Sequence, residues 1–139
     1  MSPKDNKEVV RTFFRIYDTH DYALACQCMA KDYVDHSLPQ VRSLDDAITI
    51  LQSTHRSFPD IRVVIEDLIA DDDQVVFRGR FMATHLGDFL GYQATGARIE
   101  FEAIEIFKLE GKKIIASWGY WPSSDIIKQI KRWNPPSKE

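Results

Sequence analysis

The spacing of apolar residues changes once along the chain, from a helical period to a two-residue period. Apolar residues at three- and four-residue spacing predict a first helix over residues 4–18, and they are Val9, Val10, Phe13, Phe14 and Tyr17. After residue 60 apolar and polar residues alternate, which predicts four antiparallel strands over residues 61–71, 74–85, 97–109 and 112–121. Helices followed by strands predict an α+β fold, in which a curved antiparallel sheet wraps around N-terminal helices.

Two more helices are predicted from capping signals. Asp21 stands at a good N-cap position for a short second helix that runs to about residue 30. Ser43 caps a third helix that continues to Phe58. Between these two helices, residues 33–35 read as a short extended piece that leads away from the helical layer.

A strand pairing follows from a tight turn at Glu110-Gly111, which sets Glu105 opposite Ala116 and Ala103 opposite Trp118. One face of the sheet is then predicted to carry Phe77, Gly79, Phe81, Phe101, Ala103, Glu105, Phe107, Ile114, Ala116, Trp118 and Tyr120. All of these except Glu105 are apolar, small or aromatic. Large rings around a floor of small residues predict a cavity that contains one carboxyl. A bulge in any strand would shift its faces.

The other face of the sheet combines charged pairs with apolar residues. Arg80 is predicted to lie opposite Glu102 across the strands. The apolar residues on this face form a patch large enough to favour burial, and they are Ile104, Ile106, Ile115 and Trp121. The pattern predicts a homodimer that forms through the outer sheet face.

Two residues are the candidates for catalysis, Glu105 and His36. Burial of Glu105 among apolar groups would disfavour its charged form and make it a useful acid or base; the alternative is a paired structural glutamate. His36 titrates near neutral pH, and it is read either as a catalytic or as a structural histidine. The predicted ligand pocket is lined by Phe14, Tyr17, Tyr33, Phe77, Phe81, His85, Phe101, Trp118 and Tyr120.

The remaining motifs argue against several kinds of site. The histidines lack short ligand spacing such as H-x-x-x-H, so no metal site is expected. The glycines do not form G-x-G-x-x-G, so no nucleotide cofactor is expected, and the absence of G-x-S-x-G disfavours nucleophilic hydrolysis. His85 opens a glycine-bearing loop over residues 86–96, where it could gate a ligand or stabilise the turn.

Composition narrows the class of protein. The 139 residues fit a single domain over residues 1–139, and a net charge of −3 disfavours nucleic acid as a partner. No apolar run is long enough for a membrane span, which predicts a soluble, cytoplasmic protein with no membrane partner. Cys26 and Cys28 lie two apart in a predicted helix, where they cannot easily bridge, and are expected to be buried packing thiols.

Six segments in order resemble the SnoaL-like polyketide cyclase family of the nuclear-transport-factor-like superfamily: residues 32–36 (DYVDH), 58–62 (FPDIR), 64–70 (VIEDLIA), 84–91 (THLGDFLG), 95–101 (TGARIEF) and 104–107 (IEIF). The resemblance implies a conical sheet closed by helices, a deep apolar pocket and commonly a dimer. It also implies intramolecular aldol ring closure without metal or cofactor. The family's acid–base carboxylate lies four residues after the tryptophan of the last strand. Trp118 matches that tryptophan, and Pro122, which cannot transfer a proton, occupies the acid position.

Two functions therefore stand as hypotheses. The first is a cofactor-independent cyclase or isomerase that abstracts a proton beside the carbonyl of a small hydrophobic compound. In it Glu105 is the base, and His36 or a tyrosine hydroxyl polarises the oxygen. The second is a non-catalytic protein that binds a small hydrophobic molecule, which Pro122 favours. A purely structural dimer module would instead have its cone filled by side chains.

Overall fold

The computed structural model describes residues 2–133, which form a five-stranded sheet and four helices. In chain order the elements are α1 (Pro3–Thr19), α2 (Ala23–Cys28), β1 (Met29–Asp35), α3 (Leu44–Ser57), β2 (Arg62–Asp71), β3 (Gln74–Thr84), β4 (Arg98–Glu110), β5 (Lys113–Tyr120) and α4 (Ser123–Arg132). None of the helices within this range is long and apolar enough to cross a bilayer. The predicted α+β class, with a curved sheet wrapped around helices, is confirmed.

The helix ends follow the capping residues. Ser2 Oγ accepts a hydrogen bond from the Asp5 N–H at 3.1 Å, and α1 ends where His20 adopts a left-handed conformation with φ 58°. Ser43 Oγ accepts from the Asp46 N–H at 3.0 Å and caps α3 as predicted. The helix α2 is shorter than predicted, because it ends at Cys28 and the chain passes directly into a strand.

Residues 33–35 lead away from the helical layer as expected, but the strand β1 that contains them was not predicted as part of the sheet. The strand order is β1-β5-β4-β3-β2, and β1 lies parallel to β5 with Val34 paired to Ala116. The other neighbouring strands are antiparallel. Strand β1 supplies the hydrogen-bonding partners that the free edge of β5 would otherwise lack.

The predicted register of the two central strands is confirmed. Arg80 pairs with Glu102, and Phe77 pairs with Glu105. The sequence left the face of β2 open, because the acidic turn before β3 could hold an odd or an even number of residues; in the structure a bulge between Ile65 and Asp67 also breaks the alternation of this strand. The bulge exposes Glu66 and Asp67 side by side on the outer face, where they form salt bridges with the two arginines of β3.

The predicted pairing of β4 with β5 is wrong, for two reasons. The turn consists of Gly111 and Lys112, both at positive φ, and a bulge then skips Ile115. Glu105 therefore lies opposite Gly119 rather than Ala116. The same shift reverses several predicted faces: Ala116, Trp118 and Tyr120 belong to the outer-face register, whereas Trp121 packs inside on Phe81 and Phe101.

Much of the concave face is filled by stacked rings. Phe14 stacks on Phe77 at 3.9 Å between ring centroids, and Phe81 stacks on Phe101 at 5.1 Å. A side chain at Gly79 would collide with the Phe77 ring, so this glycine makes room for an aromatic ring rather than for a ligand. The small residues predicted as the cavity floor, Gly79, Ala103 and Ala116, do not line an open space.

The two cysteines differ in their surroundings. Cys28 is buried, and burial raises the pKa of its thiol to about 12, as is typical of an inert packing residue. Cys26 is exposed, so the prediction that both thiols are buried is wrong for this residue. Residues two positions apart in a helix, such as Cys26 and Cys28, point to different sides of it, so one can be buried while the other is exposed.

Candidate functional site

A cavity of about 420 Å³ opens beside the stacked rings, at the end of the concave face near β1 and β5. It lies between the sheet, α1, α3, residues 37–41 and the tip of the loop between β3 and β4. Much of its wall is apolar, with side chains that include Phe13, Met29, Leu38, Val41, Ile50 and Leu51. Its polar groups include Tyr17, Tyr33, Asp35, Glu105 and Ser117.

Glu105 extends across the cavity floor because its neighbour on β5 has no side chain. A Cβ at Gly119 would lie 2.5 Å from Glu105 Cγ and 2.9 Å from Cδ. The Gly119 N–H donates to Ser37 Oγ at 2.6 Å, which ties β5 to the segment that follows β1. The glycine thus leaves the space through which the carboxyl reaches toward β1.

Burial changes the acidity of this carboxyl. Loss of hydration is the main cause, and the nearby charge of Asp35 the second, that raise the pKa of Glu105 from 4.5 to about 8. A hydrogen bond with the Trp121 side chain lowers this pKa and so opposes them. The protonated form of Glu105 is therefore favoured at pH 7. A neutral carboxyl can donate a hydrogen bond as well as accept one.

Asp35 is a second carboxyl in the cavity, and the sequence analysis missed it. Residues alternate between the faces of β1, so Tyr33 and Asp35 both line the cavity, while the exposed His36 stacks on Trp118 with 4.6 Å between ring centroids. The same two-residue period, applied to residues 33–36, would have found Asp35. Asp35 Oδ1 accepts a hydrogen bond from the Ser37 N–H at 2.8 Å. Burial nevertheless raises its pKa.

Two tyrosine hydroxyls face the same region. The Tyr33 hydroxyl is hydrogen-bonded to Ser117 Oγ on β5. Burial is the main cause that raises the pKa of both Tyr17 and Tyr33, and the charges of Glu105 and Asp35 raise both further. Both hydroxyls therefore keep their protons at physiological pH and can donate hydrogen bonds to an oxygen atom in the cavity.

The structure brings together only part of the predicted site. Tyr17, Tyr33, Tyr120 and Glu105 line the cavity, although the Tyr120 residue is 73% exposed. His36 and Trp118 do not line it, because they stack on each other on the other side of the sheet, and both predictions of placement are wrong. The remaining predicted aromatics lie among the packed rings rather than on the cavity wall: Phe14, Phe77, Phe81 and Phe101.

His85 also lies away from the cavity wall and holds the adjoining loop. It is fully buried, its Nδ1 pairs with Thr95 Oγ1 at 2.9 Å, and its Nε2 donates to the Tyr92 carbonyl at 3.1 Å. This geometry supports the turn-stabilising alternative. The loop it holds places Phe89 and the exposed Leu90 at the cavity.

Within residues 2–133, no group of three histidine, cysteine, aspartate or glutamate side chains is arranged to hold a metal ion. The polar groups of the cavity are carboxyls and hydroxyls that can move protons or donate hydrogen bonds. The arrangement is therefore suited to acid–base chemistry.

Comparison of the sequence with known protein families identifies the family of this chain. A family model described as SnoaL-like polyketide cyclase matches residues 7–130. The chain belongs to this family. No curated protein matches it at a significant level.

Solved structures with low sequence identity share the SnoaL-like fold. TsrD from Streptomyces laurentii is 19% identical with a TM-score of 0.88, over 96% of this chain and 99% of that one. IdmH from Streptomyces antibioticus is 18% identical with a TM-score of 0.81, over 91% and 98%. A SnoaL-like polyketide cyclase from Agrobacterium tumefaciens is 18% identical with a TM-score of 0.79, over 94% and 99%.

In this SnoaL-like chain, Pro122 occupies the position at which the resemblance implies the family's acid. Pro122 caps α4, and its carbonyl accepts a hydrogen bond from the Ile126 N–H at 3.0 Å. The neighbouring residues Trp121 and Ser123 line the cavity, whereas Pro122 does not. The acidic groups of the cavity come instead from β1 and β4.

Proposed function

We propose that this SnoaL-like protein is a cofactor-independent cyclase or isomerase that moves a proton beside the carbonyl of a small hydrophobic compound. The single observation that carries the proposal is the position of Glu105. Its carboxyl lies on the floor of a largely apolar cavity, with its pKa raised to about 8, next to a second carboxyl. An acid–base group is most effective when its pKa lies near the working pH.

The size and lining of the cavity support this substrate class. A volume of about 420 Å³ is in the range of small-molecule sites and has room for a two-ring compound. The apolar side chains of α1 and α3 would pack against the rings. The oxygen of the substrate would then lie near the carboxyls and the Tyr17 hydroxyl, which are the groups able to bind it by hydrogen bonds.

Proton exchange provides a direct test, because it requires no knowledge of the natural substrate. We would measure exchange of the protons beside the carbonyl of 2-tetralone in D₂O by NMR, with wild type, Glu105→Gln and Glu102→Gln. Glu102 is the matched control, since it lies on the same strand but faces outward. We expect at least tenfold slower exchange in Glu105→Gln and wild-type exchange in Glu102→Gln. Equal rates in all three proteins would contradict the proposal.

The alternative is a non-catalytic protein that binds a small hydrophobic molecule. The observation that favours it is Pro122 at the position of the family's acid. Calorimetric titration with 2-tetralone separates the two functions. Binding without any accelerated exchange would favour the ligand-binding protein, and binding with exchange would favour the enzyme.

We also propose that the outer sheet face is covered by a second copy of the chain. Exposed apolar side chains, Val64, Ile104 and Ile106, lie beside a charged network in which acidic residues of β2 and β4 flank the arginines of β3. A two-fold axis would bring the same mixed patch against itself. Sedimentation analysis should give a dimer for wild type and a monomer for Ile104→Asp.

A further inference from the structure

We propose that two carboxyls of the cavity divide the chemistry: Asp35 removes the proton from carbon, while neutral Glu105 and the Tyr17 hydroxyl donate hydrogen bonds to the carbonyl oxygen. This inference rests on the proposed function and assigns the base and the hydrogen-bond donors of that reaction to particular side chains. It differs from the expectation that Glu105 is the base.

The topology places the two carboxyls on opposite sides of one strand. Asp35 pairs with Ser117 across the β1–β5 ladder, and Glu105 pairs with Gly119 across the β4–β5 ladder. Since Gly119 has no side chain, Glu105 lies over β5 and extends toward Asp35. A planar substrate above β5 would therefore have one carboxyl near each side.

Burial and hydrogen bonds together distinguish the two carboxyls. Asp35 accepts the Ser37 N–H at 2.8 Å, and it is only partly buried. Glu105 is buried on the apolar floor, and the charge of Asp35 raises its pKa further. Burial raises the pKa of both carboxyls, but the hydrogen bond from Ser37 opposes this at Asp35 and so favours Asp35 as the ionised member of the pair. A carboxylate is the form that can accept a proton, and a carboxylic acid is the form that can donate a hydrogen bond.

Tyr17 completes the site from the opposite wall. It lies on α1 and lines the same cavity as Glu105 and Asp35. Burial keeps this hydroxyl protonated. Tyr33 is less suited to the same role, because its hydroxyl is already bonded to Ser117 Oγ. Two donors aimed at one oxygen would stabilise the enolate, where the charge develops.

The proposed steps conserve atoms and charge. The Asp35 carboxylate takes the proton as the C–H bond breaks, and the electron pair of that bond forms the enolate whose oxygen is held by Glu105 and Tyr17. In ring closure, the enolate carbon bonds to a second carbonyl carbon of the same molecule, and Asp35 returns the proton to the resulting alkoxide. In isomerisation, Asp35 returns the proton to a different carbon. No oxidant, reductant or metal takes part in either sequence.

Binding of 2-naphthol tests these roles without any turnover, because its ionised form resembles an enolate and has a distinct absorption spectrum. Asp35→Asn removes a negative charge from the site, so we expect about tenfold tighter binding and a larger bound fraction of naphtholate. Glu105→Leu and Tyr17→Phe each remove a donor, so we expect about tenfold weaker binding. Asp32→Asn is the matched control, since Asp32 is exposed on the same strand. Asp35→Asn and Glu105→Leu shifting the affinity in the same direction would overturn the division of roles.

Exchange kinetics provide a second, independent test of the same assignment. Gln at position 105 still has an N–H donor, whereas Leu has none, so Glu105→Gln should retain more 2-tetralone exchange than Glu105→Leu. The Asp35→Asn variant should exchange the 2-tetralone protons at least a hundredfold more slowly than wild type. Equal loss in both Glu105 variants, with an unaffected Asp35→Asn, would make Glu105 the base and overturn the inference.

The pH profile distinguishes the two assignments in wild type. If protonated Glu105 is the donor, kcat/KM for exchange falls as the pH rises through about 8. If Glu105 were the base, kcat/KM would rise through the same pH. An absence of exchange at every pH would contradict the proposed function, while the naphthol series would still report the roles of the two carboxyls.

Discussion

The two halves of the concave sheet face have the same alternating pattern but opposite contents. In one half, rings from β3 and β4 interlock with Phe14 of α1 and leave little space. In the other half, Glu105, Ser117 and Gly119 lie beneath a cavity of about 420 Å³. The first half is built like a protein core, and the second half leaves polar groups in contact with a space that a ligand could fill.

The difference shows that alternation defines a face but not whether that face is filled. Ring size and the helix that covers each half decide the outcome. Where α1 lies directly on the sheet, its aromatic side chains meet those of β3 and β4. Where β1, α3 and residues 37–41 form the wall, short residues on β5 leave a gap. The filled half should therefore govern stability, and the open half should govern chemistry.

The largest expected effect is the pH dependence of stability that arises from Glu105 in the open half. Its pKa is raised from 4.5 to about 8 in the folded protein, so the folded state binds more protons than the unfolded state between these values. Stability from this group is fully present below pH 4.5 and is lost as the pH rises through 8, by on the order of 5 kcal/mol at most. Urea unfolding of wild type and Glu105→Gln from pH 5 to 9 measures it.

In this experiment Glu105→Gln should flatten the pH dependence and become relatively more stable than wild type above pH 8. Glu102→Gln, on the outward face of the same strand, should retain the wild-type slope. Parallel pH curves for wild type and Glu105→Gln would contradict the raised pKa.

The filled half should respond most strongly to loss of a ring. Phe77→Ala would remove a fully buried side chain that stacks on Phe14, and it should lower the free energy of unfolding by about 3 to 5 kcal/mol. Leu90→Ala, at the mouth of the open half, should cost far less, since Leu90 is 62% exposed. Urea unfolding at one pH compares the two variants. Similar losses would show that the two halves are not distinct in packing.

Gly119 is the point at which the open half depends on a missing side chain. Gly119→Ala would place a methyl group against Glu105 Cγ, and should cost about 1 to 3 kcal/mol while it displaces the carboxyl. The cost should largely disappear in the Glu105→Ala background, where the colliding atoms are absent. A double-mutant cycle by urea unfolding measures this coupling. Additive effects of the two substitutions would exclude the contact.

The smallest expected effect comes from the hydrogen bond between Tyr33 and Ser117, which joins β1 to β5 at the cavity. Tyr33→Phe removes the hydroxyl and should lower the free energy of unfolding by about 1 kcal/mol. After Ser117→Ala, the same change should cost less, because the partner is already missing. Equal costs in both backgrounds would mean that the bond contributes nothing to stability.

The sequence was sufficient for α1, α3 and β2 to β5 as elements, and for the pairing of β3 with β4. Both depend on local signals, such as the Ser43 cap and the two-residue period of Phe77, Phe81 and Phe101. It also identified Glu105 as the inward-facing carboxyl. Ser117 and Gly119 were missed and Trp118 was misplaced because the bulge at Ile115 changed the residues of β5 that face inward, and a bulge has no reliable local signature. Asp35 was missed because β1 was not predicted as a strand of the sheet.

By itself, the sequence determined the positions of α1, α3 and the four antiparallel strands and which face of β4 is apolar, because these properties depend on residue spacing within a single element. Only the tertiary structure decided that β1 joins β5, that Gly119 rather than Ala116 lies opposite Glu105, and that Asp35 shares the cavity. These facts depend on hydrogen bonds between segments that are distant in the chain. That long-range pairing brings to one cavity the two carboxyls on which the proposed chemistry depends.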